Sequence, residues 1–402
     1  MASATIKRIP TSALRTGMFV HDLDCNWMDH PFLSNKFLLD NVQTIQKIAS
    51  AGIRHVYIDV SQGRDVEEAP TAQEVQAAVQ SQVEQLAAKP SEESKTSVAE
   101  EVDRARALFR EATSVIRNLM EDVRLGKQVE VESIDPMAER MVQSVFRNHH
   151  ALTGISRIKT KDEYTFMHCV SVAGLLITFA RAQGFAEQDI HQVAIGGLLH
   201  DIGKTLTPDE VLNKPGKLTP EEFEIMKGHV THSRDILQET LGISQTALDI
   251  SVLHHERIDG TGYPLGLSGE QISLIGKMSA IVDVYDALTS VRVYKEAWEP
   301  SVALKKMLEW SPAHFDRTLV QHFIRCLGIY PVGSLVALES GLVGIVLEQG
   351  KDLLRPQLRI VYNGRKRCYE KVRDVDLGNN QNDRIIATVS PADHGIDIGA
   401  FL

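Results

Sequence analysis

Five helical patterns in the middle of the chain each carry a histidine or an aspartate of the kind that binds metal ions. These side chains follow one another at intervals of 25 to 32 residues, which is about the length of one helix plus one connection. Helical bundles build metal sites in this way, from inward-facing side chains on several helices. The series therefore predicts a helical bundle around a metal centre. The candidate ligands are His168, His200, Asp201, His229, His254, His255 and Asp283.

Helix start signals support a bundle over residues 153–328. In Thr219-Pro220-Glu221-Glu222, a hydroxyl cap precedes a proline at the first helical position and two acids in the first turn, as at many helix N-termini. The chain lacks the βαβ pattern that a Rossmann fold would need. Helices are predicted over residues 162–183, 187–204, 220–240, 246–255, 274–290, 300–309 and 316–327.

The remaining sequence predicts four further segments. Residues 1–66 mix short β-prone runs with one helical pattern, which indicates a small α+β domain. Residues 67–98 are rich in Ala, Gln and Glu and indicate a linker. Residues 99–152 carry two amphipathic helical patterns, which suit packing within the chain or, alternatively, pairing with a second subunit. Residues 329–390 contain short β-branched runs that predict a small β appendage.

Charge and hydropathy narrow the class of protein. The formal net charge is −10, so the chain lacks the basic surface that non-specific binding to DNA or RNA needs. Its longest apolar run, around residues 170–180, is shorter than the roughly 20 residues of a membrane span. With no signal-peptide pattern at the N-terminus, we expect a soluble cytoplasmic protein that binds no membrane. The four cysteines form no CxxC pair, which favours reduced thiols.

The number and type of the candidate ligands indicate more than one metal ion. A structural zinc site takes four ligands and usually includes cysteine, whereas this set has seven and is made of histidine and aspartate only. It suits two or three divalent ions, and Asp201 is the natural bridge because its neighbour His200 can ligate one of the same ions. Imidazole and carboxylate ligands fit iron, manganese, nickel or zinc. Paired metals promote in-line displacement at phosphorus, so phosphodiester hydrolysis is the leading hypothesis.

Three motifs identify a resemblance to a known family. His200-Asp201-Ile202-Gly203-Lys204, His254-His255-Glu256-Arg257 and Gly262-Tyr263-Pro264 resemble the motifs of the HD-GYP family, a bacterial branch of the HD metal-dependent phosphohydrolases. The resemblance covers about residues 153–328, and the first 60 or so residues resemble a domain of unknown function often found in front of HD-GYP domains. It implies a multidomain, mainly α fold with an all-α HD-type bundle as its core, a small α+β N-terminal domain and a small β C-terminal appendage.

The resemblance also implies an activity. HD-GYP members hydrolyse cyclic di-GMP to linear pGpG and often on to GMP, at a centre of two or three metals that frequently contains iron. The chain is accordingly predicted to be a metal-dependent cyclic di-GMP phosphodiesterase. Two alternatives stay open. In the first, the protein is a sensor or scaffold with little turnover, which binds cyclic di-GMP or binds a partner signalling protein through its Gly262-Tyr263-Pro264 region. In the second, it is an HD hydrolase of another cyclic dinucleotide or nucleotide.

Roles for single residues follow from the same motifs. The seven candidate ligands match the metal ligands of the family, and Lys204 matches the lysine that reaches the scissile phosphate, so Asp201 and Lys204 are the predicted catalytic residues. Some members carry a third-metal glutamate where this chain has Tyr164. We therefore predict two divalent ions, with iron first and manganese, nickel or zinc as alternatives. The predicted substrate-binding residues are Lys204, Arg257, Gly262, Tyr263, Pro264, Asp286, Arg292 and Lys295.

Overall fold

A computed structural model describes residues 5–25, 32, 34–87, 95–156, 164–291, 297–311, 313–380 and 382–402 of the chain. The N-terminal part is a small sheet packed on one helix. Its strands are β1 (Ile6–Pro10), β2 (Phe19–Asp22), β3 (Phe37–Leu38) and β4 (His55–Asp59), and its helix is α1 (Val42–Ser50). The strands are antiparallel and lie in the order β1-β4-β2-β3. Ile9, Val20, Ile48 and Ile58 form a separate small core between sheet and helix.

Helix α1 is bounded by two local signals. The Asn41 side chain accepts a hydrogen bond from the backbone N–H of Thr44, which caps the N-terminus. Past its C-terminus, Gly52 adopts a φ of +73°, a left-handed conformation that favours glycine. The chain then turns directly into β4.

Three helices connect this sheet to the main bundle: α2 (Ala72–Ala87), α3 (Val98–Arg124) and α4 (Val131–Arg147). Helix α2 lies inside the segment predicted as a linker, and Val83 and Ala87 are buried in the main core. Helix α3 begins with a capping box between Ser97 and Glu100. The apolar faces of α3 and α4 pack against the bundle of the same chain.

The bundle surrounds one central apolar helix. Its helices are α5 (His149–Ile155), α6 (Tyr164–Ala182), α7 (Glu187–Leu199), α8 (Asp209–Leu212), α9 (Pro220–Gln238), α10 (Gln245–Leu253), α11 (Leu274–Thr289), α12 (Pro300–Trp310) and α13 (Arg317–Leu327). Every side chain of α6 from Met167 to Ala180 is buried. By length and composition α6 could cross a membrane, but 72% of its apolar window is buried inside the protein, as expected for the centre of a bundle.

A second antiparallel sheet follows the bundle. Its strands are β5 (Leu335–Leu338), β6 (Leu342–Glu348), β7 (Gln357–Asn363), β8 (Cys368–Asp376) and β9 (Ile385–Thr388), in the order β8-β7-β6-β5-β9. A short helix, α14 (Pro391–His394), comes after β9. The predicted fold class, mainly α with a small sheet near each end of the chain, is confirmed.

Candidate metal centre

The structure brings the seven predicted metal ligands together at the centre of the bundle. Six of them are buried, and the His255 side chain, 19% exposed, faces a pocket. His168 lies in α6, His200 ends α7, Asp201 precedes a short 3-10 helix (Ile202–Leu206), His229 lies in α9, His254 and His255 follow α10, and Asp283 lies in α11.

The ligand atoms form two clusters. Those of His229, His254 and His255 lie within 4.8 Å of one another, and those of His168, His200 and Asp283 do the same. In the second cluster, His168 Nε2 lies 2.9 Å from Asp283 Oδ1. The second carboxylate oxygen of Asp283 is 3.9 Å from His255 Nδ1, which belongs to the first cluster. The two groups are therefore direct neighbours.

Asp201 lies between the two clusters. Its Oδ2 is 3.3 Å from Nε2 of His200 and 3.5 Å from Nε2 of His168. Its Oδ1 is 3.3 Å from Nε2 of His229 and 3.9 Å from Nε2 of His254. Each carboxylate oxygen thus faces a different cluster, which is the arrangement of a bridging ligand.

Backbone carbonyls orient three of the imidazoles. The Nδ1 atoms of His200, His229 and His254 lie 2.8, 2.6 and 2.8 Å from the carbonyl oxygens of Gly197, Met226 and Ser251, in each case three residues earlier. A ring that donates through Nδ1 presents an unprotonated Nε2, the form that binds metals. These three rings therefore turn their lone pairs towards Asp201.

The protonation states of three of these groups also fit metal ions. Burial lowers the pKa of His229 to about 4 and that of His254 to about 3, so both rings are neutral near pH 7. Burial opposes ionisation of Asp201, but the Lys204 ammonium and the neighbouring imidazoles hold its pKa well below the ordinary value. Neutral imidazoles and ionised carboxylates are the states that ligate metals. Asp201 Oδ1 is buried and accepts no hydrogen bond from any residue that the structure describes, so this oxygen fits a cation.

Lys204 occupies the position next to the bridging carboxylate. Its Nζ lies 2.5 Å from Asp201 Oδ2, and its side chain lines the pocket. The 3-10 helix that carries it packs tightly on α9 through Gly203, where an added Cβ would come within 2.1 Å of the His229 carbonyl oxygen. Glycine is required there because any side chain would separate the two elements.

The loop after His255 is fixed by a buried acid. The carboxylate of Glu256 accepts hydrogen bonds from the backbone N–H of Leu265 at 2.7 Å and of Leu267 at 2.9 Å. The Tyr263 ring stacks on the His255 ring, with centroids 4.7 Å apart. At Gly262 an added Cβ would meet the backbone of the preceding turn at 2.4 to 2.6 Å. The loop therefore folds back on the second histidine and supports it.

Two residues near the centre were missed by sequence reasoning. Glu256 was part of a motif but was given no role, and a lone acid after two histidines carries no periodic signal. Cys169 Sγ lies within 4.8 Å of ligand atoms of His200 and Asp201. Burial raises the pKa of this thiol well above its ordinary value, which disfavours the thiolate that metals bind.

A pocket of about 1330 Å³ opens onto the centre. Lys204, Arg257, Gly262 and Tyr263 line it, whereas Pro264 does not. The Tyr164 ring also lines it and stacks on His168 with centroids 5.6 Å apart, so this position presents no carboxylate. The predicted substrate-binding residues Arg292 and Lys295 lie outside the described residues.

Asp286 has a different place from the predicted one. Its carboxylate is buried and lies 2.7 Å from His168 Nδ1, on the side of the ring away from Asp201 and Asp283. It does not line the pocket. The observed partner of Asp286 is therefore the His168 ring, which suits a positioning role, and its predicted contact with substrate stays a prediction.

Comparison with known proteins gives the family. One family model, a domain of unknown function, matches residues 6–134, and so includes α2 and α3 as well as the N-terminal sheet. A second, the HD domain, matches residues 137–319.

Curated relatives match as well. The cyclic di-GMP phosphodiesterase PA4108 of Pseudomonas aeruginosa is 40% identical over 386 residues, which are 95% of this chain and 91% of that protein. The cyclic di-GMP phosphodiesterase response regulator RpfG of Xanthomonas campestris is 39% identical over 44% of this chain and 48% of its own length. The 3'3'-cGAMP-specific phosphodiesterase 2 of Vibrio cholerae is 35% identical over 41% of this chain and 32% of its own length. With its divalent-metal-binding HD domain and a relative matched over nearly its full length, the chain belongs to the HD-GYP family.

Proposed function

We propose that this protein is a metal-dependent phosphodiesterase that hydrolyses cyclic di-GMP to linear pGpG in the cytoplasm. The observation that carries the proposal is the Asp201 carboxylate, whose two oxygens each lie 3.3 Å from an imidazole of a different cluster. The activity named for PA4108, which this chain matches over 91% of that protein, supports the choice of substrate.

Two divalent ions fit the ligand atoms. His229, His254 and His255 would hold one ion with Asp201 Oδ1, and His168, His200 and Asp283 would hold the other with Asp201 Oδ2. We propose iron, with manganese, nickel or zinc as alternatives, because the ligands are imidazole and carboxylate. When bound, paired ions polarise the phosphoryl oxygens and lower the pKa of the attacking water. Tyr164 provides no carboxylate for a third ion.

The chain itself supplies charge and orientation. The Lys204 ammonium faces the pocket beside Asp201, where it stabilises the negative charge that develops on the scissile phosphate. Tyr263, held against His255 by ring stacking, forms part of the pocket wall next to the centre. Arg292 and Lys295 are proposed to bind the phosphates of the substrate because they match the family motif.

Turnover of cyclic di-GMP, followed by chromatography, tests the proposal. Metal-replete wild-type protein is expected to form pGpG, and Asp201→Ala is expected to lose more than about 99% of the rate because the ligand shared by both ions is gone. Asp249→Ala is the matched control, since this carboxylate is bonded to Gln245 on the surface of α10. Equal rates in wild type and Asp201→Ala, or no product from either, would contradict the proposal.

A second candidate substrate is 3'3'-cGAMP. It is suggested by the match to the 3'3'-cGAMP-specific phosphodiesterase 2 of Vibrio cholerae, which is confined to 41% of this chain. The two substrates differ in one base, so the metal chemistry would be shared and the pocket wall would discriminate between them. Values of kcat/KM measured in parallel decide: a higher value for 3'3'-cGAMP would replace cyclic di-GMP as the preferred substrate.

A further inference from the structure

One wall of the substrate pocket belongs to the N-terminal domain. Phe32, Lys47 and residues 49–52 line the same pocket as His168, His229 and His255. The pocket, at about 1330 Å³, exceeds the range of roughly 300–1,000 Å³ common for small-molecule sites. A ligand that extends from the metal centre across this volume therefore reaches the C-terminal end of α1.

This wall is fixed to the loop that follows His255. Arg54 Nε lies 2.9 Å from Asp259 Oδ2. The other oxygen of Asp259 accepts hydrogen bonds from the N–H of Thr261 at 3.0 Å and from its hydroxyl at 2.6 Å. Gly52 packs directly on Thr261, since an added Cβ would lie 3.0 Å from the threonine Cβ. The end of α1 thus has a defined position relative to the pocket.

A second contact, on α12, holds the same domain. The buried carboxylate of Asp24 accepts hydrogen bonds from Arg8 Nε at 2.7 Å, Lys306 Nζ at 2.5 Å and Trp310 Nε1 at 3.2 Å. The Tyr57 hydroxyl donates to Glu309 on the same helix. Buried charges with this many partners are costly to separate, so the N-terminal domain is a fixed part of the pocket.

Most of the lysines that line the pocket are already paired. Within the described chain, three of them form ion pairs in which Nζ lies 2.5 Å from a carboxylate oxygen: Lys204 with Asp201, Lys214 with Glu222 and Lys227 with Glu224. Lys217 donates to the Phe32 carbonyl oxygen at 2.5 Å. Lys47 is exposed in the last turn of α1, and none of the described acids pairs with it. Its ammonium is the one among these five lysines that can bind a phosphate without giving up an existing bond.

We propose that Lys47 binds the second, non-reacting phosphate of the cyclic dinucleotide, so that the N-terminal domain determines selectivity for cyclic dinucleotides over small phosphodiesters. The inference rests on the proposed function, in which the metal centre and Lys204 take the reacting phosphate and Arg292 and Lys295 are further phosphate binders. Lys47 adds a contact to the second phosphate from the N-terminal domain. A cyclic dinucleotide carries two phosphates on opposite sides of its ring, whereas a small diester carries one. Only the larger ligand therefore gains from a second cation in the pocket, on the wall that the N-terminal domain forms.

The test compares two substrates of the full-length, metal-loaded protein. Values of kcat/KM are measured for cyclic di-GMP and for bis(4-nitrophenyl) phosphate with wild type, Lys47→Gln and Lys36→Gln. Lys36 is an exposed lysine of the same domain that does not line the pocket. The kcat/KM for cyclic di-GMP divided by that for bis(4-nitrophenyl) phosphate is expected to fall about tenfold in Lys47→Gln, as for loss of one charged hydrogen bond. The same ratio is expected to stay at the wild-type value in Lys36→Gln.

Binding provides a readout that does not depend on turnover. In the Asp201→Ala background, adding Lys47→Gln is expected to raise the Kd for cyclic di-GMP, measured by calorimetry, about tenfold. An unchanged ratio together with an unchanged Kd would overturn the role of Lys47 while leaving the proposed function intact. If wild type does not hydrolyse cyclic di-GMP, the proposed function fails, and the Kd comparison then decides the role of Lys47 by itself.

Discussion

Two carboxylates of α11 hold the two nitrogens of one imidazole. Asp283 Oδ1 lies 2.9 Å from His168 Nε2, and Asp286 Oδ2 lies 2.7 Å from His168 Nδ1. The two acids are three residues apart, so they share a face of the helix. A carboxylate on the far nitrogen of a ligating histidine fixes the tautomer and the ring orientation.

Replacing Asp286 should therefore weaken metal binding without removing a ligand. Asp286→Ala is expected to lower the affinity for Mn²⁺ about 10- to 100-fold, because His168 loses the group that orients it. Asp286→Asn should recover part of the affinity, since the amide oxygen accepts the same hydrogen bond. Calorimetric titration of metal-free protein measures this, with Asp189→Ala, an exposed acid of α7, as the control. Wild-type affinity in Asp286→Ala would contradict the positioning role.

Sequence reasoning could find which side chains meet at the centre but not the role of each acid. The spacing of the histidines and aspartates predicted which side chains meet, because one helix and one connection separate each from the next. Asp286 lies on the same helix face as Asp283, and the sequence does not tell whether a carboxylate there meets substrate or the back of a ring. That distinction depends on the packing of α11 against α6, a contact between residues 118 positions apart.

At the scale of elements, the junction between the N-terminal sheet and α12 depends on charge. Asp24 is the shared acceptor of Arg8, Lys306 and Trp310, and its side chain is fully buried. Lys306 also lies 4.9 Å from the centre of the Tyr57 ring. One carboxylate thus neutralises cations from both sides of the junction.

Removal of that carboxylate should destabilise the protein strongly. Asp24→Ala leaves Glu309, at 3.3 Å, as the described acid in an ion pair with the Lys306 ammonium, and the expected loss is about 3 kcal/mol of unfolding free energy. Asp65→Ala is the matched control, because the Asp65 side chain that pairs with Lys7 is 44% exposed. An exposed ion pair of this kind contributes less than about 1 kcal/mol to the unfolding free energy. Urea denaturation measures both. Similar losses in the two variants would show that the buried network does not hold the junction.

Helix boundaries show where local signals were sufficient. The cap at Thr219 and the proline after it predicted the start of α9 at Pro220, as observed. The helix predicted over 187–204 instead ends at Leu199, and residues 202–206 form a 3-10 helix. The cause is the close approach of Gly203 to α9, a tertiary contact that has no periodic signature. The contact of Arg54 with Asp259, 205 residues away in the sequence, likewise could not be predicted from local sequence patterns.

For the whole molecule, buried histidines outside the metal centre link stability to pH. His149 and His150 are buried at the start of α5, and His314 is buried after α12. Burial, with a contribution from Arg181, lowers the pKa of His149 to about 4. Burial, with a contribution from Arg257, lowers the pKa of His314 to about 3, and burial also holds the pKa of His150 well below its ordinary value. These rings are neutral in the folded protein throughout the mildly acidic range.

The direction of the effect follows from proton linkage. In the unfolded chain each of these histidines takes up a proton near pH 6.5, whereas folded His149 does so only near pH 4. Above about pH 6.5 these histidines are therefore neutral in both states, and their burial makes the unfolding free energy no lower through proton uptake. As the pH falls below that value the unfolded state gains protons that the folded state does not, so stability is lost, by up to about 1.4 kcal/mol per pH unit for each histidine.

His149→Gln should therefore flatten the dependence of stability on pH. Its unfolding free energy from urea denaturation is expected to fall less steeply than that of wild type between pH 6.5 and pH 5, by about 1 kcal/mol per pH unit, because one proton-linked group is gone. Leu152→Val, in the same helix and buried, is the control: it loses packing at every pH and should give a curve parallel to that of wild type. A parallel curve for His149→Gln as well would mean that folded His149 is protonated as readily as the unfolded residue, contrary to its burial against His150.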